Sequence, residues 1–469
     1  MSRDTSERPS RTGTKTDTHA EAGTDTETGT DTDAYADGRD CPDCGERVPV
    51  DPRFVTWCAA CGWNVDPEGA AQEEPEPDRV ERLRRGLAHR YGEQLFADLA
   101  DPGADGPGAP VTRRTGGAAR LGTLLALAVH GLTAALAAAG LWLLVAGWGE
   151  GLQAVLGAFL LALAVPLRPR FGRLPKDPGE LPHLERADAP ELFALVDEIA
   201  ASVGTRGVDL VLLDTSVNAS VSTYGIRRRR LLTLGLPLWS TLEPRERIAL
   251  LGHELGHYAH GDTRHGLLVH SALCSLDTWR YVLARSEDGG TLSDLLINVL
   301  TALPRWAVHG LTALLDGATL RATQRGEYLA DGAAARVAGR DAATGLLERL
   351  LVSGSIEAAL HREIVGARTR VGARARREAQ ADGLWERVAV AARSVPRHEY
   401  ERLRRVAELR GHCVDDTHPP THLRLRHLAR AEPRPPVLVL TPARAAALDT
   451  ELTTPSHRAA ILLLRDGAA

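Results

Sequence analysis

The longest apolar stretch of the chain, Leu121 to Trp148, runs for 28 residues without a formal charge and is dominated by Leu, Ala, Val and Gly. That length is enough to span a bilayer with tilt. After a break at Gly149, Glu150 and Gly151, a second uncharged stretch from Leu152 to Leu167 sits at the short limit for a span. Together they predict a transmembrane helical hairpin over 121–167. Arg79 to Leu99 carries Val80, Leu83, Leu87, Tyr91, Leu95 and Phe96 at roughly helical spacing, which predicts a short amphipathic helix within a linker, 66–120. Past Pro175 the pattern becomes that of a folded core. Glu191 to Val203 has helical spacing, Val208 to Leu213 reads as a buried strand, and Arg230 to Leu234 reads as a second strand after a turn at Tyr224 and Gly225. Helices dominate thereafter, so 176–430 is expected to be a mainly α (α+β) domain with a small β-sheet, followed by a C-terminal extension, 431–469. The stretch Leu292 to Leu320 is apolar but broken by Asp294, Pro304, Arg305, His309 and Asp316. It predicts an interfacial or substrate-channel segment in place of a clean span.

Length and charge narrow the function classes. At 469 residues the chain is too long for one ordinary core. A net charge of -5 does not mark the whole chain as a nucleic-acid binder. Residues 1–40 are acidic and poor in apolar side chains, which predicts a disordered tail and no cleavable signal peptide. Of six cysteines, Cys41, Cys44, Cys58 and Cys61 form two turn-like knuckles, CPDCG and CAACGW, at a spacing suited to tetrahedral zinc. A zinc ribbon is expected over 41–65, as a structural staple or as a module that binds nucleic acid or protein. Cys274 and Cys413 stand apart and read as inert buried thiols. Reduced cysteines imply cytosol. Arg113, Arg114 and Arg120 precede the hairpin, and Arg168, Arg170, Arg173 and Lys176 follow it, so the positive-inside bias places both termini in the cytoplasm of a multi-pass membrane protein. The run Arg227 to Arg230, beside such a hairpin, is expected to meet anionic lipid head groups; nucleic acid is not the expected partner.

The chemistry gathers on two segments. Pro244 suits the first turn of a helix, and Arg245 to His260 keeps helical spacing before Gly261 ends it. On that helix His253 and His257 stand at i and i+4, so one face can grip a metal ion while Glu254 projects alongside as a general base. A catalytic zinc site wants a third protein donor. In RGEYLADGAAARVAG, Glu327 and Asp331 are again i and i+4: Glu327 can coordinate, and Asp331 can accept from a ligand histidine N–H. Gly326 is expected to loosen that helix. His260, His265 and His270 read as surface or membrane-facing histidines.

HELGHYAHGD, EYLAD, the Asn218–Ala219–Ser220 segment and THPPTHLRLRHL occur in one order and resemble the integral-membrane zinc endopeptidases that include the heat-shock protease HtpX and the CAAX prenyl endopeptidase. The likeness covers about 170–430. It implies a zincin-like domain in which His253, His257 and Glu327 bind zinc, Glu254 is the base and Asp331 supports a ligand. It also implies that Asn218, with Ala219, binds substrate backbone, that His418 approaches the reaction centre and that Arg424 orients the acidic groups. The expectation is a membrane-anchored zinc metalloendopeptidase with one catalytic and one structural zinc. It would cleave unfolded, misfolded or membrane polypeptides at the cytoplasmic face, in protein quality control. The alternatives are a catalytically idle membrane scaffold and a ribbon-led partner-binding protein.

Overall fold

The computed structural model describes residues 38–71, 92–97, 117–147, 151–168, 181–224, 227–259, 262–284, 292–369, 380–410 and 419–466. They fall into two compact units divided between Asn64 and Val65. Residues 1–37 of the acidic tail, most of the predicted amphipathic helix (of which 92–97 is helical, α2), His418, His260, the side chain of His265 and Cys413 lie outside the described residues, whereas 38–40, expected to be the end of a disordered tail, are held in a strand by backbone pairing.

The first unit is small. Strand β1 (Gly38–Asp40) pairs antiparallel with β2 (Arg47–Pro49). Its two Cys-x-x-Cys turns have the same construction: Gly45 donates to the Cys41 carbonyl and Gly62 to that of Cys58, each from a left-handed φ (75° and 79°). Glycine is required there because a Cβ would strain that conformation.

The second unit is mainly helical, with one four-stranded sheet. After α1 (Pro67–Ala71) come α3 (Gly117–Ala146) and α4 (Gly151–Leu167). The sheet has the order β3 (His183–Leu184), β4 (Leu210–Asp214), β6 (Arg229–Gly235), β5 (Ala219–Tyr224). β4 and β6 run parallel, and β5 is antiparallel to β6 at one edge. β4 and β6 are apolar enough to be visible in the sequence. β5 reads ASVSTY, a mixed edge strand that hydrophobic pattern alone does not announce. Helix α5 (Pro190–Val203) buries Leu192, Phe193, Leu195, Val196 and Ile199 in the same core as Leu213, Leu232 and Leu234 of the sheet. Then come α6 (Leu236–Thr241), α7 (Pro244–Ala259) and α8 (Asp262–Val282).

The stretch Leu292 to Leu320, whose apolar run is interrupted by Asp294, Pro304, Arg305, His309 and Asp316, forms the first half of one helix, α9 (Leu292–Ala338), which passes Gly326 without a stop and does not meet the length and hydropathy of a membrane span. Pro304 costs about 3 kcal/mol by removing a helical hydrogen bond and crowding the preceding turn, and the packing of Val308 and Leu315 against α3 and α8 holds the helix beyond it. Arg305 folds along the surface, donating to Leu283 O (2.7 Å) and Thr301 Oγ1 (2.8 Å). Helices α10 (Arg340–Leu351), α11 (Ser353–Thr369), α12 (Leu384–Arg393), α13 (Arg397–Arg410), α14 (Thr421–Arg430) and α15 (Pro442–Asp466) complete the unit.

Helices α3, α8 and the first half of α9 share an apolar cluster of Ala126, Val129, Val269, Ala272, Leu276, Val308 and Leu315, and α4 packs along α3. The outside of this bundle is also apolar, with Trp142, Leu152, Phe159, Leu303 and Trp306 exposed. Among the described residues one helix, over Arg120–Ala146, is long and apolar enough to cross a membrane; Gly151–Val165 is apolar but shorter.

The C-terminal extension is built into the main core, where Leu448, Leu452 and Ala459 are buried with α5 and the sheet. Helix α5 begins at Ala189 with no capping side chain of its own. Glu451 supplies the cap from α15, accepting the N–H groups of Glu191 (2.8 Å) and Leu192 (3.0 Å). A carboxylate at a helix N-terminus is favoured by unsatisfied N–H groups and by the helix dipole. Glu451→Ala is therefore expected to cost about 1–2 kcal/mol and lower the Tm by a few degrees. An unchanged melting curve would refute this capping role.

Candidate metal centres

Helix α7 starts at Pro244, with Glu246 accepting the Glu243 N–H at 2.9 Å to close its first turn. Its inner face is GHELGH. Gly252 and Gly256 meet α9 where ideal Cβ atoms would lie 3.2 Å from Ala334 Cα and 3.1 Å from Ala330 Cα. Glycine makes that approach easy, since a Cβ at either place would be tighter than most real contacts, and Ala330, Ala333 and Ala334 keep the α9 side equally shallow.

The crossing brings three donors together. His253 Nε2 and His257 Nε2 are 3.3 Å apart, Glu327 Oε2 is 3.5 Å from His253 Nε2, and Glu327 Oε1 is 3.5 Å from His257 Nε2. Tetrahedral ligands about 2.0–2.1 Å from one zinc ion stand about 3.3–3.4 Å from one another, so the triangle has the size zinc requires. Around it lie the buried carboxylates of Glu254, Glu327 and Asp331 and one buried guanidinium, Arg424. With neutral imidazoles, that set leaves two negative charges for a divalent cation to balance. Its pull on cations is visible in His253. Burial pulls its imidazole down, yet Asp331 and Glu327 outweigh burial and hold it at about 10. Burial works in the opposite sense on the carboxylates of Glu327 and Asp331, but Arg424 and the histidines hold both well below the ordinary range.

Asp331 Oδ1 lies 3.1 Å from His253 Nδ1, on the side of the ring away from Glu327. Arg424, on α14, donates from Nε (2.8 Å) and a terminal nitrogen (2.6 Å) to the two Asp331 oxygens, and another nitrogen stands 3.4 Å from Glu327 Oε2. Asn218 sits exposed at the head of β5; its Oδ1 accepts the Ala219 N–H (2.8 Å) and its carbonyl accepts the Gly235 N–H (2.9 Å). His270 is exposed, with Cys274, half-buried one turn along α8, 3.5 Å from its Nε2.

A residue-by-residue reading of the sequence did not single out Tyr258 beyond its helical spacing. Its hydroxyl donates to the carbonyls of Ser222 and Leu231 (3.2 Å to Leu231), which ties the last turn of the histidine helix to strands β5 and β6. The available signal was its place next to His257.

A family model, peptidase family M48, matches residues 186–432. The chain belongs to this family. M48 members are zinc metallopeptidases, and the match spans strands β4, β5 and β6, both helices of the donor triangle and α14. Strand β3, which pairs with β4, and helix α15, which shares the main core, lie outside the match. No curated protein and no solved structure matches the chain.

The second cluster lies outside the M48 match. Cys41 Sγ and Cys61 Sγ are 3.6 Å apart, as are Cys44 Sγ and Cys58 Sγ, and all four sulfurs fall within 4.8 Å of one another. Zinc–sulfur bonds of about 2.3 Å give edges of about 3.8 Å, close to this spacing. The backbone N–H of Cys61 and, against burial, that of Ala60 pull the Cys58 thiol down to about 7, towards the thiolate that binds metal.

Asp331→Asn keeps the size of the side chain but weakens its hold on His253. It is expected to lower zinc affinity of the M48 site about 10–100-fold, read by competition with a chelator. Affinity equal to that of the parent would show that Asp331 does not orient the ligand.

Proposed function

We propose that this M48 protein is a membrane-anchored zinc metalloendopeptidase of the HExxH type with a carboxylate third ligand, cleaving unfolded or membrane polypeptides at the cytoplasmic face. The observation that carries the reading is the triangle of His253, His257 and Glu327 with Glu254 on the same helix. Bound there, zinc supplies Lewis acidity for a peptide carbonyl and for the attacking water. Glu254 accepts the proton released by water and returns it to the leaving amine. Asp331 keeps the His253 proton on Nδ1, so that Nε2 offers its lone pair, and Arg424 holds Asp331 in that position. The outer edge of β5 is unpaired within the sheet, so an extended chain can add to it through backbone hydrogen bonds, with Asn218 and Ala219 at its head. Recognition by backbone gives broad side-chain specificity, which suits protein quality control.

The membrane reading is supported by α3, by the packing of α4, α8 and α9 against it, and by an outer surface of Leu, Val, Phe and Trp that water would not favour. Basic residues flank both outer ends of the α3–α4 hairpin, which argues for cytoplasmic termini and active site. Polypeptide and lipid are then the partners, and the four-cysteine ribbon holds a second, structural zinc.

In the detergent-purified full chain, Glu254→Gln is expected to retain zinc and to slow casein cleavage by about 10²–10⁴-fold. Unaltered turnover would sink this mechanism. Metal analysis should give two zinc ions per chain, and one after Cys41→Ser with Cys58→Ser; a parent chain with a single zinc would remove one of the two sites.

A further inference from the structure

The β5–β6 hairpin carries three consecutive exposed arginines at its tip, Arg227, Arg228 and Arg229. Arg227 and Arg228 have no carboxylate partner among the described residues. Arg229 adds its field to Asp209, which Arg206 (3.1 Å) and the Arg230 N–H (2.6 Å) already engage. Arg228 adopts a left-handed φ of 51°, where glycine would sit without strain, and Arg206 holds its carbonyl at 3.3 Å. The turn therefore keeps a charged side chain at a position whose backbone favours a residue without one.

Where this tip points follows from Tyr258. Its hydroxyl rests on Ser222 and Leu231, a strand pair two residues short of the tip, and Arg230 lies 4.3 Å over its ring. Four residues later the chain enters α8 of the apolar bundle, and β5 itself packs on α8. The bundle end at that junction is also where α3 begins and α4 finishes. His130 Nε2 of α3 lies 3.3 Å from the Leu268 carbonyl of α8, while the α3–α4 turn, with Gly147 against Gln153, is at the far end. Exposed Arg120 and Arg168 mark the near end. The arginine tip thus stands beside the end of the bundle that carries Arg120 and Arg168.

Resting on the membrane reading above, we infer that the β5–β6 tip docks on anionic phospholipid head groups through Arg227, Arg228 and Arg229. The free edge of β5 is thereby held at the bilayer surface. Arginine suits this contact because its planar fork binds phosphate oxygens in pairs. An anionic leaflet attracts each basic residue within about one Debye length of it. Tyr258 then carries the anchoring of the hairpin to the histidine helix, so that polypeptide at the membrane surface meets the strand edge already registered to the metal ligands.

The test uses the full chain in vesicles of phosphatidylcholine alone or with phosphatidylglycerol, reading hydrogen–deuterium exchange of peptides over 219–231. Exchange is expected to be slower in the anionic vesicles. The difference should vanish at high salt and in R227Q/R228Q/R229Q, and persist in R227K/R228K/R229K, each variant keeping the zinc content of the parent. Equal exchange in the two lipids, with the protein co-floating with both, would overturn this inference alone. Failure to co-float would overturn the membrane reading and this inference with it. Slowing by added nucleic acid but not by anionic lipid would assign the tip to a different partner and overturn it as well.

Discussion

Helices α7 and α9 cross without the usual layer of side chains between them, and the site exists because they do. Gly252 and Gly256 present bare backbone to Ala330 and Ala334, with contacts near 3.1–3.2 Å for any Cβ placed there. Each glycine precedes a histidine by one position, so the surface that makes the close contact also sets the rotation of His253 and His257. Glu327, one turn before Asp331 on α9, then falls within 3.5 Å of both imidazoles. Even a Cβ at either glycine would require the facing helix to give by a few tenths of an ångström, a shift felt directly at the donor triangle.

That proximity concentrates charge, and the remaining packing manages it. Three buried carboxylates facing one guanidinium would repel one another in a low-dielectric interior. Arg424 answers part of this by a two-pronged contact with Asp331, and the surplus is what a divalent cation answers. The pair also links α14 to α9 across 93 residues of chain. Tertiary closure and metal affinity therefore rest on the same contact.

The parts of the chain around the metal helices are built in different ways. Helix α15 caps α5 and fills the core beside the sheet, which makes it structurally part of the peptidase domain. The apolar bundle carries α7 into α8 and returns through the first half of α9, so the two metal helices are separated in sequence by a bundle excursion. The cysteine unit folds around its own repeated turn, each half closed by a left-handed glycine.

Local chemistry was enough to read much of this from the chain. HELGH and EYLAD each place their groups at i and i+4 on one helix face, the long uncharged run marks α3, and the two Cys-x-x-Cys-Gly turns mark a four-sulfur cluster, because these signals depend on neighbours a few residues away. Pro304 and scattered charges kept Leu292 to Leu320 from reading as a span, but local pattern did not announce that it is continuous with the Glu327 helix, because the packing of its flanks carries α9 past the proline. Tertiary structure alone decided that β5 takes the sheet edge, that Glu451 caps a helix 260 residues away, and that Tyr258 fastens the edge strand to the histidine helix. Those contacts join groups whose own sequence surroundings carry no signal, and only the packing of whole elements brings them within hydrogen-bond reach.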